Sequence, residues 1–157
     1  MIVVVQRVTE AAVQVDGEVV GAIDHGLCLL ACALAADTDT QVDWLADKIV
    51  DLRIFADEEG RTNRSLLETG GAVLVVPQFT LAADWRKGRR PSFTRAAPAD
   101  VGVPLLARLV SRLRERGATV SEGRFGAMMS VSLCNDGPFT LVLDSAQMPG
   151  QLAGGEA

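Results

Sequence analysis

The chain has 157 residues, 48% hydrophobic and 22% charged, which is the size and balance of one globular domain that buries its own core without disulfide or metal staples. A net charge of -5 excludes indiscriminate binding to nucleic acid but leaves room for a local positive patch. Aromatic residues are only 4% and Tyr is absent, so the core is to be built from Val, Leu, Ile and Ala.

Ile2 to Val8 reads as a buried strand. It carries no basic leader or cleavage site, and no apolar run in the chain approaches the roughly 20 residues of a membrane span. A cytoplasmic, reduced protein without a membrane partner is expected. Ala12 to Val15 and Glu18 to Ile23 flank Asp16-Gly17, a hairpin signal because a type I′ turn needs positive φ at both central residues. Gly26 to Leu34 reads as a central strand, completing a four-segment antiparallel meander. Asp37 to Thr40 supplies helix-capping chemistry, and Val42, Leu45, Ile49 and Leu52 then form an apolar stripe ending near Arg53. Asp57 to Thr62 is a polar turn, and Asn63 to Leu67 reads as a short helix.

Ala72 to Val76 is another strand and runs into Pro77-Gln78-Phe79-Thr80-Leu81. Asp84 to Pro98 is a basic, proline-bearing surface loop. Leu105, Leu106, Leu109, Val110 and Leu113 define a second helix closed by Gly117. Thr119 to Gly123, Met128 to Leu133 and Phe139 to Leu143 read as three closing strands. The predicted fold is α+β: a mainly antiparallel, barrel-like curled sheet with two helices packed outside. One domain over residues 1–145 is expected, followed by a flexible tail over 146–157.

Metal and cofactor chemistry has little to work with. His25 is the only His and sits in a turn-like Asp24-His25-Gly26, and no paired Cys motif or phosphate-binding glycine loop exists. Cys28, Cys32 and Cys134 are an odd set, read as buried inert thiols rather than a disulfide framework. No metal and no cofactor are expected.

Three features are more informative. Arg86, Lys87, Arg89, Arg90 and Arg95 place five of the fifteen basic residues within ten positions, interleaved with Trp85 and Phe93. Such a loop is either a solvated surface or a site for phosphates. Gln78, Phe79 and Thr80 stand where a buried strand meets that loop, either as a strand end or as a pocket wall. Thr80 offers a hydroxyl nucleophile, but no general base lies near it in sequence. Gly137-Pro138 follows Asn135-Asp136 and reads either as a tight turn or as a rigid element with a cis bond.

The chain resembles the D-aminoacyl-tRNA deacylase family from Met1 to about Ser145. The resemblance is carried in order by Val5-Gln6-Arg7-Val8, Trp44 to Ile49, Leu52-Arg53-Ile54-Phe55, Pro77 to Leu81, Lys87 to Phe93, Gly123-Arg124-Phe125-Gly126-Ala127 and Asn135-Asp136-Gly137-Pro138. It implies a homodimer with an active site at each subunit interface, where the Gln78-Phe79-Thr80 segment of one subunit faces Gly137-Pro138 of the other. The implied substrate is aminoacyl-tRNA. Gln78, Phe79 and Thr80 would be catalytic; Gly137, Pro138, Arg7, Phe125 and Met129 would bind the aminoacyl end; Arg86, Lys87, Arg89 and Arg90 would bind RNA. The implied reaction is hydrolysis of D-aminoacyl and glycyl esters, assisted by the 2′-OH of the RNA, with Arg7 locking a cis Gly137-Pro138 element that rejects L-amino acids. A Thr80 nucleophile is the alternative mechanism. Pro77 and Met128 depart from the family pattern, which usually has Ser and Asp there. Two other readings stay open: a paralogue acting on L-aminoacyl-tRNA, and a non-catalytic RNA-binding dimer.

Overall fold

The computed structural model describes residues 1–150. The element order is β1 (Ile2–Val15), β2 (Glu18–Ile23), β3 (Gly26–Cys32), α1 (Asp39–Asp51), β4 (Phe55–Ala56), β5 (Thr62–Arg64), α2 (Leu66–Thr69), β6 (Ala72–Pro77), α3 (Ala99–Glu115), β7 (Thr119–Glu122) and β8 (Ser130–Asp144). Short 3-10 turns cover Phe79–Ala82 and Ser145–Gln147. Residues 151–157 of the predicted tail lie outside the described residues.

The main sheet runs β2-β1-β3-β6-β7, with β8 also on β1. β1 pairs antiparallel with β2, β3 and β8, whereas β3, β6 and β7 are parallel neighbours. The ends of the path approach each other. Ser121 Oγ of β7 donates to the Ala22 carbonyl of β2 at 2.9 Å, and a Cβ on Gly21 would lie 2.6 Å from the Glu122 carbonyl. The sheet is therefore nearly closed, as the sequence led us to expect, although its second half is parallel because α1 and α3 carry the chain back across it.

The Asp16-Gly17 hairpin forms with φ of 52° and 83°, the two positive values a type I′ turn requires. Two expected strands, Ile2 to Val8 and Ala12 to Val15, are one continuous β1, with Thr9 and Glu10 exposed along it. The last two expected strands are likewise joined in β8. α1 starts at N-cap Thr38, whose N–H donates to the Gln41 side-chain carbonyl at 2.9 Å. The short helix lies slightly later than expected, capped by Ser65 and closed by Gly70 at φ 66°.

One core lies between the sheet and the helices. Val3, Val5, Leu27, Leu29, Val73 and Val75 meet Val42, Leu45 and Ile49 of α1 and Leu105, Leu109 and Leu113 of α3. A second fills the curl with Val8, Val13, Ile23, Cys28, Leu74 and Val76. Each such aliphatic side chain contributes about 1.5–3 kcal/mol of burial. Gly26 lets β3 and β6 approach closely, since a Cβ there would lie 1.9 Å from the Ala72 carbonyl. Cys28 and Cys32 are buried as expected, and burial pushes the Cys28 thiol up to about 11. Cys134 corrects the expectation: it is exposed, because β8 covers β1 but is not itself covered.

α1 and α3 are tied by an ion-pair ladder. Asp43 binds Arg108, Asp47 binds Arg112 and Arg116, and Asp51 binds Arg116. Three of these bonds share an offset of 65 residues, so the helices run in the same direction.

Candidate active site

The catalytic candidates sit where β6 ends. Pro77 is the last β6 residue and pairs with Ala31, and the Gln78 N–H donates to the Ala31 carbonyl at 2.8 Å. The chain then turns sharply, with Leu81 N–H bonded to the Gln78 carbonyl and Ala83 N–H to the Thr80 carbonyl. The amides of Phe79 and Thr80 head this turn and donate to no group among the described residues. Leading amides of a helical turn have no internal acceptor, which leaves these two N–H groups without an intrahelical partner.

Gln78 is half-buried, and its side-chain amide donates to Thr80 Oγ1. Phe79 and Thr80 are exposed. Among the described residues no His, Asp or Glu bonds to the Thr80 hydroxyl, and the side chain that does bond to it, Gln78, is a donor. A hydroxyl that accepts a hydrogen bond and has no base to take its proton is a poor nucleophile. The turn's underside is held by the buried Cys32 thiol, whose Sγ lies 3.4 Å from the Phe79 carbonyl.

Phe125 is 42% exposed and closes a cleft of about 30 Å³ shared with Cys32, Pro77, Gln78, Phe79, Gly102 and Leu106. It also borders an adjoining apolar groove of about 120 Å³ between α3 and the β6–β7 edge. Met129 packs behind this wall, and its Sδ accepts the Arg124 N–H at 3.4 Å. A Cβ on Gly123 would lie 2.8 Å from that sulfur and 3.4 Å from Pro77 Cδ, so a larger residue there would require the Met129 side chain to shift. Met128 points outward, 91% exposed.

The second group lies on β8. Between the pairs Gln6↔Thr140 and Val8↔Asn135, β1 has one residue, Arg7, while β8 has four, 136–139. These four residues bulge out of the ladder, and the Gly137-Pro138 bond within them is cis. Arg7 is only 8% exposed and spends its guanidinium on the bulge. Nε donates to the Asp136 carbonyl at 3.1 Å and pairs with Asp136 Oδ2 at 2.8 Å. One terminal nitrogen donates to the Gly137 carbonyl at 3.0 Å, and the other donates to the Ile54 carbonyl. The guanidinium also lies 4.5 Å from the Phe139 ring centre.

Within one chain, no hydrogen bond, ion pair or ring contact among the described residues joins this bulge to Gln78, Phe79 or Thr80. Gly137 and Pro138 are exposed, as are Leu133 and Val142 on the same strand. The side-chain oxygen of Gln6, the β1 residue flanking the bulge, is buried and has no donor among the described residues.

The basic loop is rooted on the turn that carries Phe79 and Thr80. Asp84 and Ser92 exchange backbone bonds at 2.7 and 2.9 Å, and Phe93 meets Phe79 edge-on at 5.2 Å. Arg86 is held by the Asp84 carboxylate at 2.8 and 2.9 Å, which keeps that carboxyl well below its usual range. Lys87, Arg89 and Arg90 are exposed and form no ion pair among the described residues. His25 lies apart from the site, its ring nitrogen 3.1 Å from the Thr69 carbonyl. No cluster of three or more metal-ligating side chains is found among the described residues, and no helix among them is long and apolar enough to cross a membrane.

A family model described as D-Tyr-tRNA(Tyr) deacylase matches residues 4–144. Relatives called D-aminoacyl-tRNA deacylase include one from Chloroflexus aurantiacus, 57% identical over 145 residues that cover 92% of this chain and 91% of the relative. One from Thermus aquaticus is 56% identical over 147 residues, covering 94% and 97%. A solved structure described as c-Myc DNA Unwinding Element Binding Protein superposes with a TM-score of 0.86 at 37% identity, covering 92% of this chain and 98% of that one. A probable eukaryotic D-amino acid tRNA deacylase shares the fold with a TM-score of 0.76 at 22% identity, covering 90% and 97%. Fold, site and sequence together define a hydrolase of the deacylase class. The chain belongs to the D-Tyr-tRNA(Tyr) deacylase family.

Proposed function

We propose that this chain hydrolyses the ester that links a D-amino acid, or glycine, to tRNA, releasing the free tRNA and the amino acid, as a homodimer in the cytoplasm. The observation that carries the reading is the pair of unspent amides at Phe79 and Thr80, next to a hydroxyl that no base activates. Ester hydrolysis builds negative charge on the carbonyl oxygen, and preorganised N–H donors are worth most at that oxygen. The general base missing from the protein is supplied by the substrate: the ribose 2′-OH lies beside the ester and assists attack by water. Gln78 then orients Thr80, while Phe125 and Met129 form the apolar side of the site.

Stereochemical selection is assigned to the Gly137 carbonyl. Arg7 fixes that carbonyl through the fork of its guanidinium, so it is an obstacle that cannot rotate away like a side chain. In a site closed by a second subunit it would clash with an L side chain, whereas a D side chain or glycine would pass. The separation of the two residue groups within one chain supports a site completed across a two-fold interface. The exposed Leu133 and Val142 and the donorless Gln6 oxygen support β8 as part of that interface. Lys87, Arg89 and Arg90 are the cations available for RNA phosphates, since Arg86 already serves Asp84.

The direct test is release of labelled D-amino acid from D-aminoacyl-tRNA by the purified protein. Release at a rate proportional to enzyme supports the reading. An ester that persists while the RNA stays bound returns the chain to the RNA-binding dimer.

A further inference from the structure

Trp85 is the most exposed aromatic residue among those described, at 76%, and its indole makes no ring or cation–π contact with any of them. Leaving so large an apolar ring in water forgoes burial that aromatic side chains usually gain. It stands next to an anchored root. It follows Asp84, whose backbone is paired to Ser92, and the next residue, Phe93, packs edge-on against Phe79 of the catalytic turn. The tip beyond this root, residues 85–91, carries Lys87, Arg89 and Arg90 with no acid to neutralise them. Its one acidic neighbour, Asp84, is spent on Arg86.

We propose that Trp85 is a stacking platform for an unpaired nucleobase in the 3′ end of the tRNA, just upstream of the esterified terminal nucleotide. The proposal rests on the deacylase reading above. Single-stranded nucleic acid is gripped by aromatic faces that take bases and by cations that take the phosphates between them, and this loop tip presents both. Paired RNA does not fit the feature, because its bases are stacked on each other and its major groove is closed to side chains. The root on Phe79 also places the loop tip next to the site. A ligand whose ester occupies the turn at Phe79 and Thr80 must leave it along its own strand, and Trp85 lies five residues after Thr80. Stacking is insensitive to salt, whereas the neighbouring cations act through counterion release, so the two contributions separate experimentally.

Trp44 and Trp85 are the only tryptophans, and Trp44 is packed against the core, so Trp85 reports on its own environment. The protein is titrated with an uncharged RNA minihelix bearing a single-stranded 3′ end while tryptophan emission is followed. Emission should be quenched in wild type and unchanged in Trp85→Phe, which should still bind. Trp85→Ala should weaken binding about 5- to 140-fold with an unaltered salt slope. Lys87→Ala should flatten that slope by about 0.7. In turnover, Trp85→Ala should raise KM for D-aminoacyl-tRNA and spare kcat, with Trp85→Phe restoring most of the loss. An abasic nucleotide in the unpaired end should weaken wild type and leave Trp85→Ala unchanged. Wild-type cleavage with Trp85→Ala matching it in KM and binding would overturn the stacking site alone. Quenching by anionic lipid vesicles in place of RNA would overturn it as well. Quenching by RNA without ester cleavage would uphold the stacking site and remove the deacylase reading instead.

Discussion

The Arg7 guanidinium donates to the Gly137 carbonyl at 3.0 Å across 130 residues of sequence. Arg7 is the only β1 residue opposite the four-residue bulge, and it serves three carbonyls and one carboxylate. A lysine there keeps the charge but cannot form the planar fork. Arg7→Lys should therefore cost about 2–4 kcal/mol in chemical denaturation, the scale of breaking a buried charge-assisted network. The folded fraction should discriminate D from L substrates less well, because the carbonyl obstacle loosens. Unchanged discrimination in a destabilised Arg7→Lys protein would confine Arg7 to a structural role.

The Gln78–Thr80 contact separates two mechanisms. With no base on its hydroxyl, Thr80 should be replaceable, and Thr80→Ala should keep kcat within about tenfold of wild type. A substrate whose terminal ribose lacks the 2′-OH should react poorly with either protein. A loss of roughly 10³-fold for Thr80→Ala, the scale of removing a principal catalytic group, would favour the hydroxyl nucleophile.

Much of this was legible in the sequence because the signals were local. Asp16-Gly17 encodes its turn by positive φ, and the α1 stripe shows its period within three turns. Gly137-Pro138 was marked by the resemblance, and the bond is cis as expected. The misreadings came where the deciding partner was distant. Thr9 and Glu10 looked like a break because they are polar, yet they are the exposed part of an unbroken β1. Gly137-Pro138 reads in the sequence as a tight turn or a rigid cis element between two separate strands, and only pairing with β1 shows it as a bulge inside one continuous β8. Parallel pairing of β3, β6 and β7 follows from helical crossovers rather than from any residue pattern. The ladder acids Asp43, Asp47 and Asp51 are evenly spaced in the sequence, but their Arg partners lie 65 residues further on.

That ladder predicts an acid limit. Hydrogen bonds from Arg108 and Arg112 hold the carboxyls of Asp43 and Asp47 below their usual value. A depressed folded-state pKa stabilises the fold above the ordinary carboxylate pKa, and that stability is lost as pH falls through the depressed value. Melting temperature should thus drop below about pH 4. Asp47→Asn should melt a few degrees below wild type at neutral pH, with the gap closing in acid. Because these groups are partly exposed, high salt should also narrow it. A gap that persists in acid would assign the effect to packing.

Val142 is 64% exposed on β8, opposite Val4 and two residues along from Thr140, the pairing partner of Gln6. A charge at this position should be tolerated by a monomer and rejected by a two-fold interface. Val142→Arg should sediment at half the wild-type mass and lose deacylase activity with it. Wild type that sediments as a monomer while fully active would remove the composite site.

The central claim is that a carbonyl fixed by Arg7 filters substrates by handedness, and the most direct measurement is a side-by-side rate comparison. One tRNA is charged with the D form and the L form of the same amino acid, and with glycine, and each ester is exposed to equal enzyme. The account predicts rapid loss of the D-aminoacyl and glycyl esters and survival of the L-aminoacyl ester at its spontaneous rate. Cleavage of the L ester as fast as the D ester would contradict the account and favour the L-acting paralogue.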